Sequence, residues 1–164
     1  ALVKEINPGP WVVTNIEEKP KTSNPKPPFT TSTLQQEASR KLKFSTRMTM
    51  STAQRLYEAG LITYMRTDSI NLSNEAISAS RDVIKKDFGS NYLPDEPRQY
   101  KGKVKNAQEA HEAIRPAGRQ FKTIKDIKDS MGANESSLYE LIWKRTIASQ
   151  MKSAKLKQTS ITIH

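Results

Sequence analysis

The sequence predicts a mainly α-helical protein with a β-strand at each end, the helical unit being inserted between strands of a sheet. Three observations carry this. Apolar residues recur at helical spacing through the middle of the chain, alternating segments stand near both termini, and a proline-rich stretch separates the first strand from the first helix.

From Trp11 to Glu18 the residues alternate, with Trp11, Val13 and Asn15 on one face and Val12, Thr14 and Ile16 on the other. Lys19–Pro28 holds four prolines and three lysines, which excludes a helix or central strand and predicts an extended linker. Ser32 and Gln35 have capping-box spacing, and Leu34, Ala38 and Leu42 recur every fourth residue, predicting a first helix. A second helix should start near Ser45 or Thr46 and stop at Gly60, with Met48, Ala53, Leu56 and Tyr57 as its apolar side. Two short helices, a tight connection and the apolar Leu61-Ile62 have the form of a helix-turn-helix followed by a strand.

Ser73 should cap a third helix, with Glu75 in its first turn and Lys85 and Lys86 in its last, matching the helix dipole. Ile77, Ile84 and Phe88 would be its core stripe and Gly89 its end. Residues 90–105 read as a loop, and Gln108–Ile114 as a short helix stopped by Pro116. A long helix should run from about Glu135 to Met151, with Leu138, Leu141, Ile142, Arg145, Ala148 and Met151 along one side. Leu156–His164 alternates as a closing strand. Strands at both ends around helices predict domain limits of 1–28, 29–152 and 153–164, in which 11–18 and 156–163 are neighbours. The remainder of their sheet is expected outside this chain, and Ala1 in place of methionine fits a chain cut from something longer.

Composition narrows the partners. Lys and Arg number 27 against 17 Asp and Glu among 164 residues, a formal net charge of +10. A surplus of that size favours polyanions through long-range attraction and counterion release. A solubilising surface has the same composition. No stretch approaches the roughly 18 apolar residues of a membrane span, and no secretory leader is legible, so a cytoplasmic, nucleoid-associated location is expected. There is no cysteine, which excludes disulfides and thiolate zinc sites. The two histidines do not make a metal site.

Chemistry concentrates in Thr63-Tyr64-Met65-Arg66-Thr67-Asp68-Ser69: a phenol, a guanidinium, a carboxylate and three hydroxyls in seven residues. In an extended stretch Tyr64, Arg66 and Asp68 share one face. A fixed positive charge favours the phenolate, and phenols, which titrate near pH ~10, are otherwise weak nucleophiles at neutral pH. A guanidinium also matches a phosphodiester and stabilises charge that develops in its transition state. Asp68 is placed to hold Arg66. On the residues alone, a structural tyrosine beside a salt bridge fits the same pattern.

The segment resembles the active-site signature of type IA DNA topoisomerases, and further segments match in order. Pro27–Ala38 (PPFTTSTLQQEA) is similar to the family's stretch upstream of the tyrosine, Ala53–Glu58 (AQRLYE) to the helix before it, and Glu109–Pro116 (EAHEAIRP) to its histidine motif. Leu138–Met151, with Leu141-Ile142-Trp143 inside it, resembles the helix that leaves the domain. The resemblance implies a helix-turn-helix-like (CAP-like) tyrosine domain inserted in a hinge sheet. It implies Tyr64 as the nucleophile that becomes linked to a 5′-phosphate of single-stranded DNA. Arg66 would contact the region of the scissile phosphate, with His111 near it and Asp68, Arg115 and Thr63 as further DNA-binding positions.

It also implies an ATP-independent enzyme that relaxes negatively supercoiled DNA by single-strand passage. The Mg2+ ligands, and a glutamate and a lysine that assist proton transfer, would lie in a Toprim domain outside this chain. The fragment alone is expected to bind DNA and not cleave it, its partners being DNA and the remaining domains of the same enzyme. Met65 after the tyrosine resembles the topoisomerase I branch, and reverse gyrase shares the motif. The alternative is a helix-turn-helix DNA-binding module without chemistry.

Overall fold

The computed structural model describes residues 11–100 and 112–164. The chain divides into two units, one made of residues up to Asn24 with Ser153–His164, the other of Pro25–Lys152.

The first unit is a two-stranded antiparallel ribbon of β1 (Val13–Ser23) and β2 (Ala154–Ile163). Ile16 faces Ile161 and Ser23 faces Ala154, with an irregularity between Val13 and Asn15. Val12 and His164 extend the ladder by exchanging N–H···O bonds of 2.7 and 3.0 Å. The expected pairing of the terminal segments is therefore met. The linker expectation needs correction, because β1 runs on through Lys19–Ser23 and Pro20 stands opposite Lys157. Proline is excluded from central strands because it has no N–H to donate and a partner strand stands on either side. In a two-stranded ribbon every strand is an edge, so Pro20 needs only to turn its N side outward.

The second unit is helical. The first helix, α1 (Thr31–Leu42), is capped by Thr30 in a reciprocal box with Thr33, two residues earlier than the Ser32–Gln35 pair indicated. Leu34 and Ala38 are buried on its inner face and Leu42 partly so. It ends on Lys43 in the left-handed conformation (φ 59°). Helix α2 (Thr46–Glu58) starts on the Ser45 cap, as the sequence indicated. Its buried side is Thr49, Thr52, Ala53 and Leu56, whereas Tyr57, expected there, is exposed.

Helix α3 (Asn74–Val83) is capped by Ser73. Its last turn widens into a π-turn over Ile84–Phe88 before Gly89. Ala76, Ala79, Ser80 and Ile84 are buried, and the wider turn shifts the helical phase after Ile84, so Phe88 is exposed. The expected stripe through Phe88 is corrected accordingly. A short α4 (Ile124–Ser130), which the sequence reading passed over, is held by a capping box between Thr123 and Asp126.

The last helix, α5 (Ala133–Ser149), packs against α1, α2, α3 and α4. Leu138, Tyr139, Leu141, Ile142, Thr146 and Ile147 are all buried, so its apolar surface wraps most of the helix instead of forming one side. Ala148 is exposed and Met151 lies beyond the helix, unlike the expected stripe. Of the helix expected over Gln108–Ile114, residues 108–111 lie outside the described residues. Glu112–Ile114 is not helical, and Ile114 bridges to Phe29. Among the described residues no helix is long and apolar enough to cross a membrane.

Candidate active site

The segment that carries Tyr64 is fixed at three points. After α2, Gly60 takes the left-handed conformation (φ 67°) and reverses the chain, its N–H bonding to the Tyr57 carbonyl at 2.8 Å. Leu61–Thr63 then pairs antiparallel with Arg115–Ala117. Thr63 N–H donates to Arg115 O and Ala117 N–H to Leu61 O, both at 2.9 Å, around the Ile62–Pro116 bridge. The Thr63 hydroxyl adds a second clasp, donating to Ala113 O at 2.7 Å and accepting from Arg115 N–H at 3.0 Å.

On the far side of Tyr64, the first residue of α1 takes over. Thr31 N–H donates to Thr67 O at 2.9 Å, and the Thr31 hydroxyl donates to Met65 O at 2.7 Å while accepting Thr67 N–H at 2.9 Å. Ile62 is buried, and from Tyr64 onward side chains alternate as in a strand: Met65, Thr67 and Ser69 are buried, while Tyr64, Arg66 and Asp68 are exposed. The shared face read from the sequence is thus present, although the stretch is not a regular strand.

Tyr64 is 44% exposed, and its ring meets that of Tyr57 edge-on, with centroids 5.2 Å apart and planes at 63°. The expected Arg66–Asp68 pair does not form, and among the described residues neither side chain has an ion-pair partner. Both are exposed because the alternation turns them to solvent, where a desolvated partner is not enforced. His111 lies outside the described residues.

Two candidates for DNA contact turn inward. The Thr63 hydroxyl is spent on main-chain groups, as above. Arg115 is only 6% exposed. Its guanidinium donates to Glu112 Oε2 at 2.8 Å, Pro116 O at 2.9 Å and Gly118 O at 3.3 Å. Glu112 in turn accepts the Ser73 N–H at 2.6 Å. Burial works to raise the Glu112 carboxyl, but the hydrogen bonds from Arg115 and Ser73 outweigh it and hold the group below the usual carboxylate range. This brace ties the strand that clasps Thr63 to the start of α3. Thr31, Tyr57 and Glu112 were missed by the sequence reading. The Glu112–Arg115 spacing was visible, but nothing local pointed from Thr31 or Tyr57 toward Tyr64.

A second ionic cluster anchors α5 to α1. Buried Glu37 accepts from Arg40 at 2.8 Å and from Arg145 at 3.1 Å. Lys26 and Lys41 stand 3.6 and 3.8 Å from the same carboxylate. The Arg40 hydrogen bond overcomes the opposing effect of burial and lowers the Glu37 carboxyl. The Arg145 guanidinium lies 4.3 Å above the Phe29 ring. This contact leads back to the site, because Phe29 O accepts the Ile114 N–H at 2.8 Å.

The site is thus an exposed tyrosine and arginine on a braced segment of a basic helical unit. The model of the DNA topoisomerase family matches residues 1–164, and the chain belongs to that family. Among its relatives is DNA topoisomerase 1 of Synechococcus elongatus, 54% identical over 99% of this chain and 18% of that protein. DNA topoisomerase 1 of Mycolicibacterium smegmatis is also 54% identical, over 99% of this chain and 17% of that protein. Among solved structures, full-length topoisomerase I from Thermotoga maritima superposes with a TM-score of 0.78 at 38% identity, covering 99% of this chain and 27% of that one. The chain therefore spans less than a fifth of the length of these curated relatives.

Proposed function

We propose that this chain is the nucleophile-bearing part of a type IA topoisomerase I, and that Tyr64 attacks the backbone of single-stranded DNA. The phenolic oxygen bonds to phosphorus and the bond from phosphorus to the 3′-oxygen breaks. A 5′-phosphotyrosine and a free 3′-hydroxyl result. One phosphodiester replaces another, so rejoining needs no ATP, and torsion in negatively supercoiled DNA drives relaxation. Arg66 faces the same side as Tyr64 and takes the role of phosphate contact, with Asp68 beside it. Thr63 and Arg115 serve by holding the segment rigid, which is what a preorganised nucleophile requires.

The observation that carries this reading is the clasped segment itself. Main chain on both sides of Tyr64 is tied to other elements, yet the phenol projects into solvent. A tyrosine retained only for packing would bury that ring.

The family's Mg2+ belongs elsewhere in this reading. Following the family resemblance, the acidic ligands and the groups that transfer protons are assigned to a Toprim domain outside this chain. The β1–β2 ribbon is assigned to the hinge-side domain of the enzyme, within the limits 1–28 and 153–164. In the full-length enzyme, Tyr64→Phe removes one exposed hydroxyl and leaves the fold intact. Relaxation and the covalent adduct should both vanish, because the attacking oxygen is gone. DNA recovered on the protein through its 5′ end after denaturation is the readout. Adduct formed by the Phe variant, or mapped to Tyr57 or Tyr92, sinks the assignment.

A further inference from the structure

We propose that Tyr57 is a positioning residue for Tyr64, its ring meeting that of the attacking tyrosine and holding the phenol in one orientation. The proposal rests on the reading of Tyr64 as the nucleophile.

The clasps around Tyr64 fix its main chain, not its side chain. Thr63, Met65 and Thr67 are tied through backbone groups and two threonine hydroxyls. None of these bonds reaches the Tyr64 ring. An exposed tyrosine samples several staggered rotamers unless something selects among them. Among the described residues the Tyr57 ring makes the aromatic contact that can select, at 5.2 Å and 63°, within the range that edge-to-face pairs prefer.

Tyr57 itself lacks a core role that would explain its place. It is 41% exposed, and the buried side of α2 is made by Thr49, Thr52, Ala53 and Leu56. The local fold aims it. Gly60 reverses the chain immediately after α2, and the Leu61 N–H returns to the Leu56 carbonyl at 2.9 Å. The extended segment is thereby brought back alongside the last turn of the helix, so residue 64 meets residue 57. In-line displacement tolerates little misplacement of the attacking oxygen, so a bias toward one rotamer acts directly on the chemical step.

The test uses the full-length enzyme and a single-stranded oligonucleotide, with single-turnover adduct formation and equilibrium binding measured on each variant. An edge contact biases side-chain populations by roughly two- to ten-fold, so Tyr57→Ala should slow adduct formation by about five-fold with DNA affinity unchanged. Tyr57→Phe retains the ring and should keep the rate. Tyr57→Leu keeps bulk at the helix end without an aromatic edge, guards against a folding artefact, and should be slow like the Ala variant. A wild-type rate in Tyr57→Ala overturns the proposal. So does a loss in Tyr57→Phe as large as in Tyr57→Ala, which would assign the effect to the hydroxyl. A fall in affinity that accounts for the whole rate loss overturns it too, making Tyr57 a DNA contact. Tyr64→Phe run in parallel separates the two layers: an adduct there defeats the nucleophile assignment, whatever Tyr57 does.

Discussion

Thr31 grips Thr67 by both of its main-chain groups. The Thr31 N–H donates to the Thr67 carbonyl, and the Thr31 hydroxyl accepts the Thr67 N–H, each at 2.9 Å. The start of α1 is thus the far anchor of the segment bearing Tyr64, though the two threonines are 36 residues apart. Thr31→Val keeps the shape and deletes the hydroxyl, leaving the Thr67 N–H and the Met65 carbonyl without this partner. The expected cost is about 1–3 kcal/mol, the penalty for unpaired part-buried polar groups. Denaturant unfolding of the variant against the parent measures it, and an unchanged midpoint refutes the anchoring role.

Gly60 is required for its backbone and not for lack of room. A Cβ at this position would meet nothing within 4 Å, yet φ is 67°. Gly60→Ala should therefore destabilise by about 1–2 kcal/mol, the cost of the left-handed region for an L-residue. Gly60→Asn should cost less than Gly60→Ala, since asparagine tolerates that region better. Thermal melts of the two variants decide the order, and equal losses point to some other cause.

The Glu112–Arg115 brace makes part of the stability pH-dependent. The folded-state pKa of Glu112 lies below its ordinary value of 4.5. Its contribution is therefore fully present above about 4.5 and is lost as pH falls through the lower folded value. Glu112→Gln should destabilise by about 2 kcal/mol at neutral pH, because buried Arg115 loses a charge-assisted bond. The same variant should show a flatter loss of stability below pH ~4.5. Denaturant midpoints collected from pH 7 downward test both. An acid limb as steep as the parent's removes Glu112 from the explanation.

DNA binding by this chain should depend strongly on salt and on Arg66. Residues 40–66 carry six basic residues against one acidic. Arg66→Ala should weaken binding of a single-stranded oligonucleotide more than Lys128→Ala, a change on the short helix α4. Titrations at several salt concentrations separate a lost phosphate contact, which lowers the salt slope by about one, from a general loss of charge. Equal effects of the two substitutions remove the special place given to Arg66.

Much of this protein was settled by the sequence alone. Local chemistry determines the elements: Ser45 and Ser73 cap their helices, Gly60 ends α2, and alternation over residues 64–69 turns Tyr64, Arg66 and Asp68 outward. Each of these depends on the residue and its near neighbours, so each is legible without the fold. Tertiary structure decided which groups are available. Arg115 and Thr63 looked like surface contacts until Glu112, Ser73 and the Ala113 carbonyl claimed them. Tyr57 looked like a core residue until the Gly60 reversal set it against Tyr64. Pro20 looked like a strand breaker until, among the described residues, β1 proved to pair with β2 on one side alone. In every such case the partner lies far along the chain or around a turn. Burial and hydrogen bonding are properties of that encounter, and the residue alone does not carry them.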